Sequence, residues 1–239
     1  MNILNASRFR NNNYRMKGIL IIFVIIGGFT LCINGCKSKN PATITDVDGN
    51  IYHTVTIGTQ VWMAENLKVT KYRNGDIIPN VKDTVQWCYL PTGTYCNYEN
   101  NPQNTTVYGL LYNWYAITDS RGIAPKGWHI PTFEELETLV SYLGGDTIAA
   151  GKLKEAGTGH WLYPNVGSKG KYNFLALPGG YRHYMDGTFH ARGSNGYWWT
   201  TTQSFEMYSW SERLYEYFAN ARNVYDFKAL GLSVRCVKD

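Results

Sequence analysis

Five histidines and a scatter of carboxylates are the residues of this chain best able to move a proton. In the stretch WHIPTFEEL, residues 128–136, His129 precedes Glu134 and Glu135, a combination suited to acid/base catalysis. The spacing favours another reading. Thr132 and Glu135 stand in the T-x-x-E relation of a capping box, which starts a helix. Adjacent residues on a helix point about 100° apart, so two neighbouring carboxylates cannot face one substrate. His160, His183 and His190 could join Asp186 or Glu206 in a metal or acid/base site. No HExxH, GxSxG or Cys/His signature accompanies them. Asp46-Val-Asp48-Gly-Asn50 resembles the start of a calcium loop, but its glycine comes two residues early and the distal Glu is missing, so it reads as a turn.

Aromatic side chains offer a different chemistry. Trp161, Tyr163, Arg182, His183, Tyr184, Tyr197, Trp198, Tyr208 and Trp210 are concentrated between residues 158 and 217. Tyr and Trp present large amphipathic faces suited to sugar rings or protein hot spots. Some of this set must be core, and Trp198-Trp199 is expected on a strand with one ring facing in and the other out. Cysteine chemistry is limited. Cys88 and Cys96 flank the loop WCYLPTGTYC and are close enough to staple it; a bridge from Cys236 to either, or three free buried thiols, are the alternatives. There is no CxxC pair and no zinc-ligand spacing, so neither a metal nor another cofactor is expected.

The elements that must position these residues follow from pattern. Asp48-Gly49 signals a hairpin turn, and Ile51–Ile57 and Gln60–Met63 read as strands joined by Gly58-Thr59. In TVYGLLYNWYAI, residues 106–117, Tyr108, Leu111, Tyr112 and Tyr115 recur at helical spacing. A longer helix follows Thr132 with Leu136, Leu139, Val140 and Leu143 on one face, ending at Gly144-Gly145. Asp146 is expected to cap a second helix that runs through Leu153 and Ala156 to Gly157. FLALPGGYR, GYWWTTT and LGLSVRCVKD read as strand and loop. No internal repeat is present.

The N-terminus reads as an export leader. YRMKGILIIFVIIGGFTLCINGC, residues 14–36, has a basic region ending at Lys17 and an apolar stretch short for a membrane span, which needs roughly 20 residues. Met16 would be a natural start. The Ile33-Asn34-Gly35-Cys36 end is similar to a lipobox, which makes Cys36 the lipidated N-terminus of the mature chain. Residues 1–35 are then the leader, 36–43 the lipidated cysteine and tether, and 44–239 one domain. The leader carries four basic residues and no acidic one, so its removal takes the net charge from +5 to +1. That leaves no electrostatic footprint for nucleic acid. Aromatics make up 15% of the chain, which excludes a disordered segment.

Seven blocks occur in a recognisable order: DVDGNIYHTVTIGTQVWMAENLK, YGLLYNWYA, PKGWHIPTFEEL, AGKLKEAGTGHW, FLALPGGYR, YWWTTT and GLSVRCV. Over roughly residues 44–239 the chain resembles the Fibrobacter succinogenes major paralogous domain, which occurs in many exported bacterial proteins, often lipoproteins. More distantly, GWHIPTFEE and GLSVRCV are similar to the helix entry and closing strand of the C-type lectin-like fold shared with formylglycine-generating enzymes. The resemblance implies an α+β fold with two helices, a small twisted antiparallel sheet, long irregular loops and termini close together. The cysteine pair that holds copper in those enzymes has no counterpart between Gly180 and Arg235, and the calcium-lectin motifs are missing. The expectation is therefore a non-catalytic envelope lipoprotein, attached by its lipid to the outer membrane on a face left open, that binds a glycan or an envelope protein. An enzyme on the related scaffold and a purely structural envelope protein are the alternatives.

Overall fold

A computed structural model describes residues 42–239; the expected leader and Cys36 lie outside the described residues. The first feature is a turn built by one carboxylate. Asp46 Oδ1 accepts the N–H groups of Asp48 and Asn50, both at 2.9 Å, while Oδ2 accepts from the Tyr52 hydroxyl at 2.7 Å. Gly49 sits at φ +84°, where glycine has no Cβ penalty. This turn joins β1 (Thr43–Thr45) to β2 (Ile51–Ile57), and β2 returns over Gly58-Thr59 into β3 (Gln60–Met63). All three strands run antiparallel, with the expected bounds for β2 and β3.

Three further short strands and three short helices pack the middle of the chain: α1 (Thr84–Trp87), β4 (Tyr95–Cys96), α2 (Gln103–Tyr108), β5 (Leu111–Tyr112), α3 (Trp114–Ile117) and β6 (Trp128–His129). The single helix expected over 106–117 is thus broken into three pieces. Gly109 is the reason. It adopts φ +75°, and a Cβ there would lie 2.7 Å from that of Asn66, so the helix ends and the chain drops into a strand against β4. Asn113 then restarts the helix, its Oδ1 accepting from the Ala116 N–H at 3.1 Å.

The longer helices are α4 (Phe133–Tyr142) and α5 (Asp146–Leu153). α4 begins with the expected capping box: Thr132 Oγ1 accepts from Glu135 N at 3.2 Å, and Glu135 Oε2 accepts from Thr132 N at 2.8 Å. α5 departs from expectation at both ends. Gly145, not Asp146, is its cap, and it stops at Leu153, not Gly157. It stops there because Lys154 turns inward. Its ammonium donates to the carbonyls of Val166, Tyr215 and Phe218 at 2.9, 2.9 and 3.0 Å.

The last third is sheet: β7 (Gly179–Arg182), β8 (Phe189–Arg192), β9 (Asn195–Phe205), β10 (Tyr208–Tyr215), β11 (Arg222–Phe227) and β12 (Val237–Lys238). β7 and β8 form a hairpin, and β11-β10-β9 form an antiparallel sheet. β12 inserts between β3 and β6, so the first and last strands share the sheet β1-β2-β3-β12-β6. The fold is mixed α and β, predominantly antiparallel strand, with five α-helices among the described residues in place of two. No helix there is long and apolar enough to cross a membrane.

β9 divides the core. Trp199 and Tyr197 face a cluster with Tyr112, Leu232 and Val234, while Trp198 faces another with Leu136, Leu139 and Leu214. Strand alternation holds, but both faces are covered, so Trp198 and Trp199 are both buried instead of one being exposed. Each indole finds an acceptor, Asn66 Oδ1 and Tyr112 O, both at 2.8 Å.

The Cys88–Cys96 staple is not formed, and Cys88, Cys96 and Cys236 are free thiols. Cys88 Sγ lies 3.1 Å from Thr84 O and 3.0 Å from Met185 O. Cys96 is fully buried, and that burial pushes its thiol up to about 12. Cys236 is also buried and likewise raised. Iodoacetamide at pH 8 should therefore label Cys88 in the native chain while sparing Cys96 and Cys236 until denaturant is added; peptide mapping checks this, and an unreactive Cys88–Cys96 pair released by reductant would contradict it. A second expectation concerns Lys154. Lys154→Met strands three buried carbonyls and should cost about 3 kcal/mol, read as a Tm lowered by roughly 6–12 °C.

Candidate functional site

The β7–β8 hairpin leans over the end of the β9–β10–β11 sheet, and a cleft of about 210 Å³ opens between them. Tyr181, His183 and Tyr184 come from the hairpin side; Tyr197, Arg213, Tyr225 and Phe227 come from the sheet. Strand alternation makes this wall. Arg182 points inward and is wholly buried, so its neighbours Tyr181 and His183 point to the cleft. Arg182 is held by the carbonyls of Lys82, Asp83 and Gly187 at 2.9, 3.1 and 2.9 Å, with its guanidinium 4.4 Å from the Trp87 ring centre.

Aromatic rings line the opening in continuous contact. Tyr184 stacks on Phe227 at 4.0 Å between ring centres, and Tyr208 lies 4.2 Å from Phe227 on its other side. Trp210 lies 5.3 Å from Tyr225 and 4.6 Å from Phe133, on the α4 side of the sheet. Tyr225 is 52% exposed, so this apolar surface faces solvent. His190 stacks on Tyr181 at 5.3 Å and its Nε2 lies 2.6 Å from Thr188 Oγ1.

One ion pair sits in the cleft. Asp226 is buried, accepts from the Ser211 hydroxyl at 2.5 Å and pairs with the Arg213 guanidinium. Burial opposes the charge on Arg213, but Asp226 and its hydrogen bond outweigh that and raise the guanidinium pKa. Arg213 also lies 5.2 Å from the Tyr197 ring centre. The cleft thus sets aromatic faces beside one cation and several phenol hydroxyls. Its one carboxylate is already committed to Arg213 and Ser211.

The nine residues expected to contact a ligand separate into three groups. His183, Tyr184 and Tyr197 line the cleft, and Tyr208 adjoins it through Phe227, whereas Trp210 packs on Phe133 on the α4 side. Trp161, Arg182 and Trp198 are corrected to core residues, at 1%, 0% and 7% exposure; the Trp161 indole donates to Ala176 O at 2.9 Å, deep inside. Tyr163 is exposed but stands outside the cleft. Tyr181, Arg213, Tyr225, Asp226 and Phe227 were missed. A signal for them existed. In YSWSER, residues 208–213, serines alternate with aromatics, and a strand with that pattern pairs its small face with polar partners on the neighbouring strand.

Only His183 and His190 converge, with ring centres 5.9 Å apart, and both reach Asp186, His183 directly and His190 through the Thr188 hydroxyl. His183 Nδ1 lies 3.1 Å from Asp186 Oδ1, where hydrogen bonds from Thr188 hold Asp186 down at about 2. His160 lines another cleft and pairs with Glu155 at 2.8 Å. His129 is clamped between Asp239, 2.7 Å from Nδ1, and Glu135, 2.8 Å from Nε2. Burial pulls its pKa down and the two carboxylates more than reverse this. Both ring nitrogens are occupied, so His129 ties the capping box of α4 to the closing strand and has no free nitrogen for a substrate. Among the described residues no three His, Cys, Asp or Glu side chains are placed to share a metal.

The profile of the Fibrobacter succinogenes major domain matches residues 55–238. The chain belongs to this family. No curated protein matches it, and no solved structure does. In this family member the matched span contains every residue of the aromatic cleft and both long helices.

One carboxylic acid of the domain is isolated from all these groups. Glu212 on β10 points away from the cleft into the α4 side of the core, where Trp62, Leu136, Phe174 and Trp198 enclose a cavity of about 20 Å³. Its Oε1 accepts from the Arg222 N–H at 3.0 Å, and Oε2 has no partner. Burial pushes its pKa up to about 8. A folded-state pKa above the unfolded one, near 4.5, means the native state holds a proton that the unfolded chain releases. Stability from this group is therefore complete at low pH and is lost as pH rises towards 8. Glu212→Gln should flatten that slope, leaving Tm nearly unchanged at pH 4.5 and raising it by at least about 3 °C at pH 8; thermal melts across that range check it.

Proposed function

We propose that this chain is a cell-envelope lipoprotein that binds its ligand without transforming it, and that the aromatic cleft takes a glycan. The observation that carries this reading is the run of neighbouring rings at the cleft mouth, Tyr184, Phe227, Tyr208 and Tyr225, left partly open to solvent near Arg213. Contiguous exposed aromatics are costly to leave in water and mark interaction sites. Flat faces flanked by hydroxyls and one cation suit a sugar, whose C–H faces stack and whose hydroxyls need donors and acceptors.

The leader reading supplies the location. A lipid on Cys36 would hold the domain at the outer membrane through a tether of a few residues. On this reading the family is a distant relative of the C-type lectin-like fold. WHIPTFEE at the entry to α4 and GLSVRCV leading into β12 support that relation, as do domain ends that share one sheet. The binding determinants would differ from those of calcium lectins, since the rings and Arg213 replace a bound ion.

The test is a glycan array probed with the purified full chain in detergent, followed by titration of the best binder. Tyr184→Ala and Tyr225→Ala should each weaken it by about tenfold, or 1.4 kcal/mol. Tyr163→Ala, at an exposed tyrosine outside the cleft, should leave it unchanged. A blank array with capture of an envelope protein by the same surface would replace the glycan by a protein ligand.

A further inference from the structure

The largest depression described lies away from the aromatic cleft. It has a volume of about 430 Å³, within the range of small-ligand sites, and opens where the loop after β3, the loop before α1, β4 and α2 meet. Its charge sets it apart from the cleft. Lys68 and Lys82 line it together with Asn80, Asn97, Tyr95 and Thr105, and no carboxylate does. Neither lysine takes part in an ion pair among the described residues.

The wall is built as well as polar. Asn97 is buried, and its Nδ2 donates to Thr105 Oγ1 at 2.5 Å, which fixes β4 against α2. Tyr95 is buried as well, under the β4–β5 pairing. Lys68 extends beside the Tyr52 ring, 5.7 Å from its centre. The carboxylates of the adjoining turn are already engaged. Asp46 is bound by Asn50 and Tyr52, and Asp48 by Thr70 and Lys71. Two lysine charges thus remain uncompensated in a concave surface of amides and hydroxyls.

We propose that this groove is a second binding site, for an acidic carbohydrate, with the lysines meeting its charge and the amides and hydroxyls its hydroxyl groups. An ammonium is a compact point charge that accepts carboxylate or phosphate alike. The shared chemistry is therefore a polyhydroxylated anion, and its charge comes from a uronate or from a phosphate ester. Tyr95 is the one aromatic ring in the lining, so the amide and hydroxyl contacts carry selectivity.

Calorimetric titration of the full chain in detergent tests this with four probes: tetragalacturonate, the neutral galactose tetramer, glucose 6-phosphate and inorganic phosphate. One of the two acidic sugars should bind saturably, at least about tenfold tighter than the neutral tetramer and weakening as salt is raised. Which of them binds tells the source of the charge. Lys68→Gln and Lys82→Gln combined should lose about tenfold or more of that affinity, with a Tm close to the parent's because Lys82 is exposed, Lys68 is half-buried and neither breaks an ion pair among the described residues. Tyr225→Ala should leave it intact, which separates this site from the aromatic cleft. The proposal is overturned if neither acidic sugar binds, if the double lysine variant binds like the parent, or if inorganic phosphate binds as tightly as the sugar phosphate.

Discussion

Three buried cations, held mainly by main-chain carbonyls, keep this loop-rich chain folded. Arg182 gathers the carbonyls of residues 81–83 and 187; Lys154 gathers those of 166, 215 and 218; Arg235 takes Phe174 O, Leu175 O and the Asn66 side chain. Among the described residues none of the three forms an ion pair with a carboxylate. The arrangement answers two costs at once. Irregular backbone in a core carries carbonyls that no ladder satisfies, and a buried cation needs acceptors on every donor. Pairing each cation with an acid would have desolvated a second charge and left the carbonyls still unmet. Aromatic faces add to the cage, with Trp87 over Arg182, Trp161 near Lys154 and Phe174 over Arg235.

The cleft depends on one of these cages. Arg182 is the last residue of β7, and its grip on residues 81–83 locks the hairpin to the body of the domain. The neighbours of an inward residue on a strand point outward, so fixing Arg182 also aims Tyr181 and His183. The opposite wall is fixed by the Ser211–Asp226–Arg213 contacts across β10 and β11. The rings at the mouth are therefore carried by two rigid supports, which is the condition for binding without a large ordering cost.

Local chemistry was legible in the sequence, and long-range placement was not. The Asp46–Asn50 turn, β2, β3 and the α4 capping box depend on residues within a few positions of one another, and each stands where the spacing put it. The 106–117 segment failed because its periodicity was honest but Gly109 had to pass close to Asn66, a residue distant in sequence. α5 ended early because Lys154 was recruited by carbonyls as far away as Phe218. Arg182 and Trp161 looked like ligand residues for the same reason. A buried, fully satisfied Arg and an exposed, ligand-seeking one have the same letter, and only the partners distinguish them.

The aromatic abundance of this chain also divides by this rule. On β9, Trp198 and Trp199 point in opposite directions and both meet core, because α4 and α5 cover one face and the β4–β5 region the other. On β10, Tyr208 and Trp210 lie where the sheet extends past that cover, and their rings stay partly in water. Strand pleating sets the direction of each ring, and the reach of the covering layer sets whether it is core or surface.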